Sequence, residues 1–208
     1  MNMAIDQVLL ESSSNDPIVR FYQWSRPSVS CGYFVAVAEV ELAYPERNYD
    51  FVRRLTGGGM VDHRNDFTYS IIVPRGHALS EAKGDVSYEL IHRAVSRALH
   101  SVGVENDMQS EDTGSGQGVC FDTPVTKDLV LADSGAKLAG AGQRRNKFGL
   151  LHQGSVLADG LDGNLFSRHL LDEFGNSRGD YQLSEFQLEL AKKLAAHRYS
   201  SAAWNLRR

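Results

Sequence analysis

Three consecutive glycines, Gly57–Gly59, separate a run of β-branched and aromatic residues (Phe51–Leu55) from the most strand-like stretch in the chain, Phe67–Val73 (FTYSIIV). Without Cβ atoms the triplet tolerates positive φ and the close approach of other backbone, so neither a helix nor a flat strand runs through it. The chain must turn there, with β structure on either side. More strands are expected at Ile18–Trp24, at Ser28–Cys31 beyond the break at Pro27, and at Leu150–Leu157. Asp128–Ala132 and Lys137–Ala141 flank the turn Asp133-Ser134-Gly135 and read as a hairpin. Helical spacing is clearest over Val86–Val102, where Leu90, Ile91, Ala94, Val95, Ala98, Leu99 and Val102 share a face and Gly103 suits the C-terminal cap. A short helix opens the chain through Met3, Ile5, Val8 and Leu9. Ser184 with Gln187 forms a capping-box pattern for a last helix reaching about Ala196. Asn106–Val119 is polar and glycine-laced and reads as a loop. The order is α, several β, a long α, more β, α. That predicts an α+β fold: a single domain spanning 1–208, with a mixed or antiparallel sheet packed with helices.

Composition narrows the function classes. The hydrophobic share of 42% and charged share of 23% over 208 residues are ordinary globular values, so wholesale disorder is not expected. A net charge of −4 argues against nucleic-acid binding through bulk charge. The chain lacks an apolar run of membrane-spanning length and the basic start of a secretory leader. Two cysteines make no disulfide framework, and a cytoplasmic location is expected.

Three stretches carry chemistry. In Arg53–Ser70, the glycine triplet opens backbone N–H groups to a ligand, Arg53 and Arg54 add bidentate donors, and His63 and Asp66 follow. A plain tight turn with solvated arginines is the alternative. It is not a P-loop, because no Gly-Lys-Ser/Thr follows. In Gly118–Pro124, Cys120 stands between a glycine-rich loop and Asp122-Thr123-Pro124. A thiolate there is a candidate nucleophile, whereas Cys31, inside a strand, reads as a packing residue. In Ala136–Arg145, Lys137 sits among small residues that let a ligand approach, although pattern alone favours an exposed hairpin lysine.

Together these stretches resemble the biotin/lipoate protein ligase superfamily on its lipoate side. Arg53–Ser70 matches R-R-x-[ST]-G-G-G-x-V-x-H-x-x-x-x-T/L-x-Y/F-S, Gly135–Gln143 matches G-x-K-[IL]-x-G-x-[AG]-Q, and Asn2–Leu10 matches the family's first helix. Cys-Phe-Asp-x-Pro ahead of the lysine stretch is most similar to the LipM-type octanoyltransferases. The resemblance covers about 2–157 and leaves a C-terminal helical extension of about 158–208. It implies the class II biotin/lipoyl synthetase-like fold. It further implies an acyltransferase of lipoate metabolism, with Cys120 as acyl acceptor and Lys137 meeting the acyl carbonyl. Arg53, Arg54, Thr56, Gly57, Gly58, Gly59, His63, Tyr69, Gly140, Gln143 and Gly154 are the implied substrate-binding residues, with Gly57–Gly59, Ala139 and Ala141 as walls of the acyl pocket. No metal site is implied.

The implied donor is an octanoyl (or lipoyl) group on acyl carrier protein. The implied acceptor is a lysine of a lipoyl-domain protein, such as the glycine cleavage H protein or a 2-oxoacid dehydrogenase E2. Neither nucleic acid nor membrane is an expected partner. Arg144, Arg145 and Lys147 are candidates for docking the acidic carrier. No cofactor is expected for the transferase. ATP and Mg would be needed by the alternative, a ligase acting through lipoyl-AMP with Arg53, Arg54 and Lys137 on the α-phosphate. A non-catalytic acyl- or lipoyl-domain-binding relative is the remaining alternative. The chain departs from the family pattern in two places. It has His152-Gln153-Gly154, where family members place histidine directly before the glycine, and Val35 after Phe34, where glutamine is common.

Overall fold

The alternating stretch at Phe67 becomes an inner strand of a six-stranded sheet. The computed structural model describes residues 1–12, 15–46, 48–111, 125–175 and 179–207. The first half of the chain runs α1 (Asn2–Glu11), β1 (Ile18–Tyr22), β2 (Ser28–Cys31), α2 (Val37–Ala43), β3 (Asp50–Arg53), β4 (Met60–Asp62), β5 (Phe67–Pro74) and α3 (Ala78–Glu81). It continues with α4 (Gly84–Ser101), β6 (Asn106–Met108), β7 (Leu129–Leu131), β8 (Lys137–Asn146) and β9 (Gly149–Val156). The C-terminal part holds α5 (Gly163–Asp172), α6 (Glu185–Leu194), a π-helical turn (Ala195–Tyr199) and α7 (Ala202–Asn205). The large sheet is antiparallel, in the order β1-β5-β9-β8-β7-β6. The small sheet, β3-β2-β4, pairs β2 with β3 in parallel and with β4 antiparallel. The architecture is the expected single α+β domain.

Both faces of the large sheet are covered, which is why Ile71, Ile72 and Val73 of β5 are apolar at successive positions. Tyr69, Ile71 and Val73 pack with Ile91, Ala94, Val95, Ala98 and Leu99 of α4 and with Phe166 and Leu170 of α5. On the opposite face, Ile72 and Leu151 meet Leu9 and Leu10 of α1. Met3, Ala4 and Val8 of α1 in turn pack against Ala191 and Tyr199. Gly103 takes φ +80 just past α4, as its capping position requires.

Asn106–Met108 is a strand, not a loop: it pairs with β7, and the Asn106 amide donates to Ser96 O and Val104 O. A three-residue edge strand needs no apolar alternation, so its composition hid it. The helical extension expected after Leu157 opens with α5. The Asp162 carboxylate caps it by accepting from the N–H groups of Asn164 and Leu165, and Phe166 and Leu170 bury its inner face.

Candidate active site

An irregularity in the β7–β8 pairing aims the key lysine. Leu129 faces Ala139, but Val130 faces Lys137, so Leu138 is an extra residue in β8. Consecutive Leu138 and Ala139 therefore both enter the core under α4. Lys137 is thrown to the other face, beside Gly140, where a Cβ would stand 2.8 Å from Lys137 Cε. The lysine is not the exposed hairpin residue that pattern alone favoured: its side chain is 2% exposed.

The ammonium has a buried partner. Lys137 Nζ lies 2.6 Å from Asp128 Oδ2. Asp128 Oδ1 accepts from the Tyr88 hydroxyl at 2.6 Å, and Tyr88 Oη accepts the Ala141 N–H of β8 at 3.1 Å. Burial, reinforced by Asp128, keeps the Tyr88 phenol protonated far above its ordinary range. Next to Tyr88 on α4, His92 holds the Lys127 carbonyl through Nδ1 at 2.6 Å. Burial pushes the His92 pKa down to about 4.

Lys137 opens onto a cavity of about 420 Å³, counting its part open to solvent. Gly140, Ala141, Gly142 and Gly154 give one wall without bulk, while Met3, Tyr22, Trp24 and Val61 give an apolar lining. The polar lining is internally bonded. Arg54 Nη1 donates to Ser30 Oγ at 2.7 Å, Ser30 Oγ lies 2.6 Å from His63 Nε2, and His63 Nδ1 lies 2.7 Å from Asp66 Oδ2. Thr68 and Ser155 also donate to Asp66, and the His63 ring stacks on Trp24 at 4.1 Å. The Ser30 oxygen is capped by Arg54 and the residue is fully buried, so this Ser–His–Asp row is a scaffold, not a nucleophile. Gln153 forms a second brace. It accepts from Thr56 Oγ1 at 2.8 Å and donates to Asp6 Oδ2 at 2.8 Å.

Among the residues expected from sequence, Lys137, Arg54, His63, Gly140 and Gly154 line the cavity. Others stand elsewhere. Arg53 is fully buried and turned away: its guanidinium donates to the carbonyls of Gly32, Tyr33, Val35, Asn205 and Arg207. Gly57, Gly58 and Gly59 do not wall the cavity; they form its shoulder. The carbonyls of Gly57 and Gly59 accept from Arg54 Nη2, and a methyl on Gly32 or Gly142 would strike this loop. Thr56 stands behind Gln153. Tyr69 and Gln143 lie on the α4 face, where each reaches His152. Ala139 also belongs to that core.

His152 is buried there too, and burial holds its pKa well below the ordinary value. The His-Gln-Gly order thus leaves Gln153, not His152, facing the cavity. Cys31 is buried with Val40 and Met60, as a packing residue should be, and burial pushes its thiol up. Cys120 lies outside the described residues. Arg145 is drawn inward to Ser87 and Gln143, which leaves Lys147 and the half-buried Arg144 on that edge. Asp128, Tyr88, Ser30, Gln153 and Asp6 were not anticipated. Among the described residues no cluster of His, Cys, Asp and Glu suits a metal, and no helix is long and apolar enough to cross a membrane.

The cavity thus pairs a buried, carboxylate-bound lysine with a strand of small residues, on an antiparallel sheet with helices on both faces. The chain belongs to the lipoyl protein ligase A/B catalytic domain family, whose model matches residues 1–185. It is similar to octanoyltransferase LipM of Geobacillus kaustophilus, at 35% identity over 94% of this chain and 72% of the relative. LipM of Brevibacillus brevis is 30% identical over 100% of this chain and 95% of the relative. The fold matches protein Ta0514 of T. acidophilum with bound lipoic acid (TM-score 0.77, 22% identity, 99% of this chain and 92% of that one). It also matches lipoate-protein ligase A bound with ATP (TM-score 0.78, 21% identity, 98% and 92%). The protein is an enzyme of lipoate-related acyl transfer.

Proposed function

We propose that the chain transfers an octanoyl (or lipoyl) group from acyl carrier protein, through a thioester on Cys120, to a lysine of a lipoyl domain. The observation that carries the reading is the place of Lys137: a buried ammonium at the cavity, whose partner Asp128 also binds Val125, the first described residue after the Cys120 segment. In the first half-reaction the Cys120 thiolate attacks the thioester carbonyl and the carrier thiol leaves. In the second, the acceptor amine attacks the acyl-enzyme, an amide forms and the thiolate returns. Lys137 supplies positive charge where the carbonyl oxygen becomes negative. The apolar lining takes the acyl tail, whose roughly seven carbons gain about 5–6 kcal/mol on leaving water. Thioester to amide is downhill, so the transfer itself requires no ATP.

The bonding of Arg53 favours this reading over the ligase alternative. Its guanidinium is directed to backbone carbonyls away from the cavity, not to where an α-phosphate beside Lys137 would lie. The test is intact-mass spectrometry with octanoyl-carrier protein and no ATP. Wild type is expected to gain one octanoyl group, and Cys120→Ser none. Discharge of the adduct onto a lipoyl-domain lysine completes the cycle. ATP-dependent lipoylation that survives in Cys120→Ser would instead establish the ligase.

A further inference from the structure

We propose that Asp128 is the positioning residue of this site: one carboxylate oxygen fixes the Lys137 ammonium and the stem of the segment that carries Cys120. The roles of Lys137 and Cys120 are those of the reading above; the juxtaposition itself is geometric. Oδ2 accepts from Lys137 Nζ at 2.6 Å and from the Val125 N–H at 3.0 Å. Oδ1 accepts from Tyr88 at 2.6 Å. Asp128 is 1% exposed, so water does not compete for these bonds.

The carboxylate is itself held from several sides. Its own N–H donates to Val125 O at 2.9 Å, and its carbonyl accepts the Gln109 N–H at 2.8 Å. The preceding residue, Lys127, has φ +72, a left-handed conformation that costs energy for a residue with a side chain. That kink is clamped at both ends: His92 grips the Lys127 carbonyl, and Lys127 Nζ reaches Glu89 Oε2 at 3.1 Å and Asp85 O at 3.0 Å. All three partners belong to α4, at 18 residues the longest helix among the described residues. Tyr88, also on α4, bonds at once to Asp128 and to β8 at Ala141. The carboxylate is thus set by both the helix and the cavity-lining strand.

A free lysine has four rotatable bonds and many rotamers. Confined by Asp128, it presents its charge at one place. Since Oδ2 also accepts the Val125 N–H, the place of the Lys137 charge relative to Val125 is set through one oxygen. Displacement of a positioned group by about 1 Å costs on the order of 100-fold in rate.

The experiment compares Asp128→Asn, Asp128→Glu and Tyr88→Phe with wild type by two readouts. The first is the single-turnover rate of the Cys120 adduct against octanoyl-carrier-protein concentration. Asp128→Asn is expected to lower the saturating rate by roughly 100-fold with little change in half-saturating concentration. Asp128→Glu, which keeps the carboxylate, should recover at least about tenfold of that loss.

The second readout needs no catalysis: acetylation of Lys137 by acetic anhydride, followed by peptide mass. Asp128→Asn should make Lys137 react about tenfold faster or more, because the Asp128 carboxylate no longer holds its charged form. Tyr88→Phe removes the donor to Oδ1 and the acceptor of the Ala141 N–H but leaves the carboxylate, and it is the milder variant should Asp128→Asn fail to fold. It should shift both readouts in the same directions, by about threefold. Wild-type acylation rates in the variants, a loss confined to half-saturating concentration, or unchanged Lys137 labelling would each overturn the proposal. If wild type forms no Cys120 adduct, the functional reading falls, and the labelling alone still decides whether Asp128 positions Lys137.

Discussion

Gly140 shows how little room surrounds the lysine. A methyl there would stand 2.8 Å from Lys137 Cε, 3.1 Å from Nζ and 3.3 Å from Asp128 Oδ1. These are ends of flexible side chains, so Gly140→Ala should fold while pushing Lys137 off its carboxylate. The expected outcome is an acylation rate down by about 100-fold with a thermal midpoint within a few degrees of wild type. A variant acylating at the wild-type rate would show that the Lys137 position is not critical. Residue identities at this site were partly legible: the G-x-K spacing marks Lys137 and Gly140, and R-R-x-T-G-G-G-x-V-x-H marks Arg54 and His63. Asp128 was not, since a lone acid in Lys-Asp-Leu looks like any solvated charge until the fold buries it. Orientation was not legible either. Arg53 and Arg54 are neighbours with the same chemistry, yet strand alternation sends one to the cavity and the other to the C-terminal segment.

At the level of elements, α4 carries a titration that stability should report. Its buried His92 is held down to about 4 by burial, and His152, packed against it, is shifted in the same direction by burial and by His92. Both are neutral in the fold. The unfolded chain binds protons at these groups below the ordinary histidine value of 6.5, whereas in the folded chain His92 does so only near pH 4 and His152 only well below 6.5. Stability is therefore whole above pH 6.5 and falls as pH drops toward about 4, by on the order of 3 kcal/mol from His92 alone. Urea midpoints at pH 7 and pH 5 measure this, and His92→Gln should flatten the slope between them. An equal slope in wild type and variant would falsify the assignment.

Elements with a clear period were legible from sequence: α4, β5, β9 and the β7–β8 hairpin lie where 3.6- and 2-residue spacing put them. Those too short to show a period were not. β4 and β6 exist because β2 and β7 offer them partners, and α2, α3 and α7 span only one or two turns. The β8 irregularity was hidden too, because an extra residue changes register without changing composition.

Across the whole molecule, the C-terminal segment closes over the middle of the chain at Arg53. Asn205 accepts the Arg53 N–H through Oδ1 at 3.0 Å, its carbonyl takes Nε and Nη2, and Trp204 Nε1 returns a bond to Arg53 O at 2.9 Å. The same guanidinium steadies the Gly32–Val35 turn, against which the glycine triplet packs. Removing the Asn205 side chain leaves a buried backbone N–H without its acceptor, so Asn205→Ala should lower unfolding free energy by about 1–3 kcal/mol in urea titrations. Arg53→Lys should be worse, because an ammonium cannot reproduce the fork that several carbonyls share.

That closure also sets an order in time. Arg53 and Asn205 are 152 residues apart. At roughly 5–20 residues per second, a ribosome needs about 8–30 s to deliver the second after the first. Through that interval the arginine and the carbonyls it will join remain in the hands of solvent or a chaperone. The shoulder of the cavity therefore sets only once Asn205 has emerged, long after its own residues have left the ribosome.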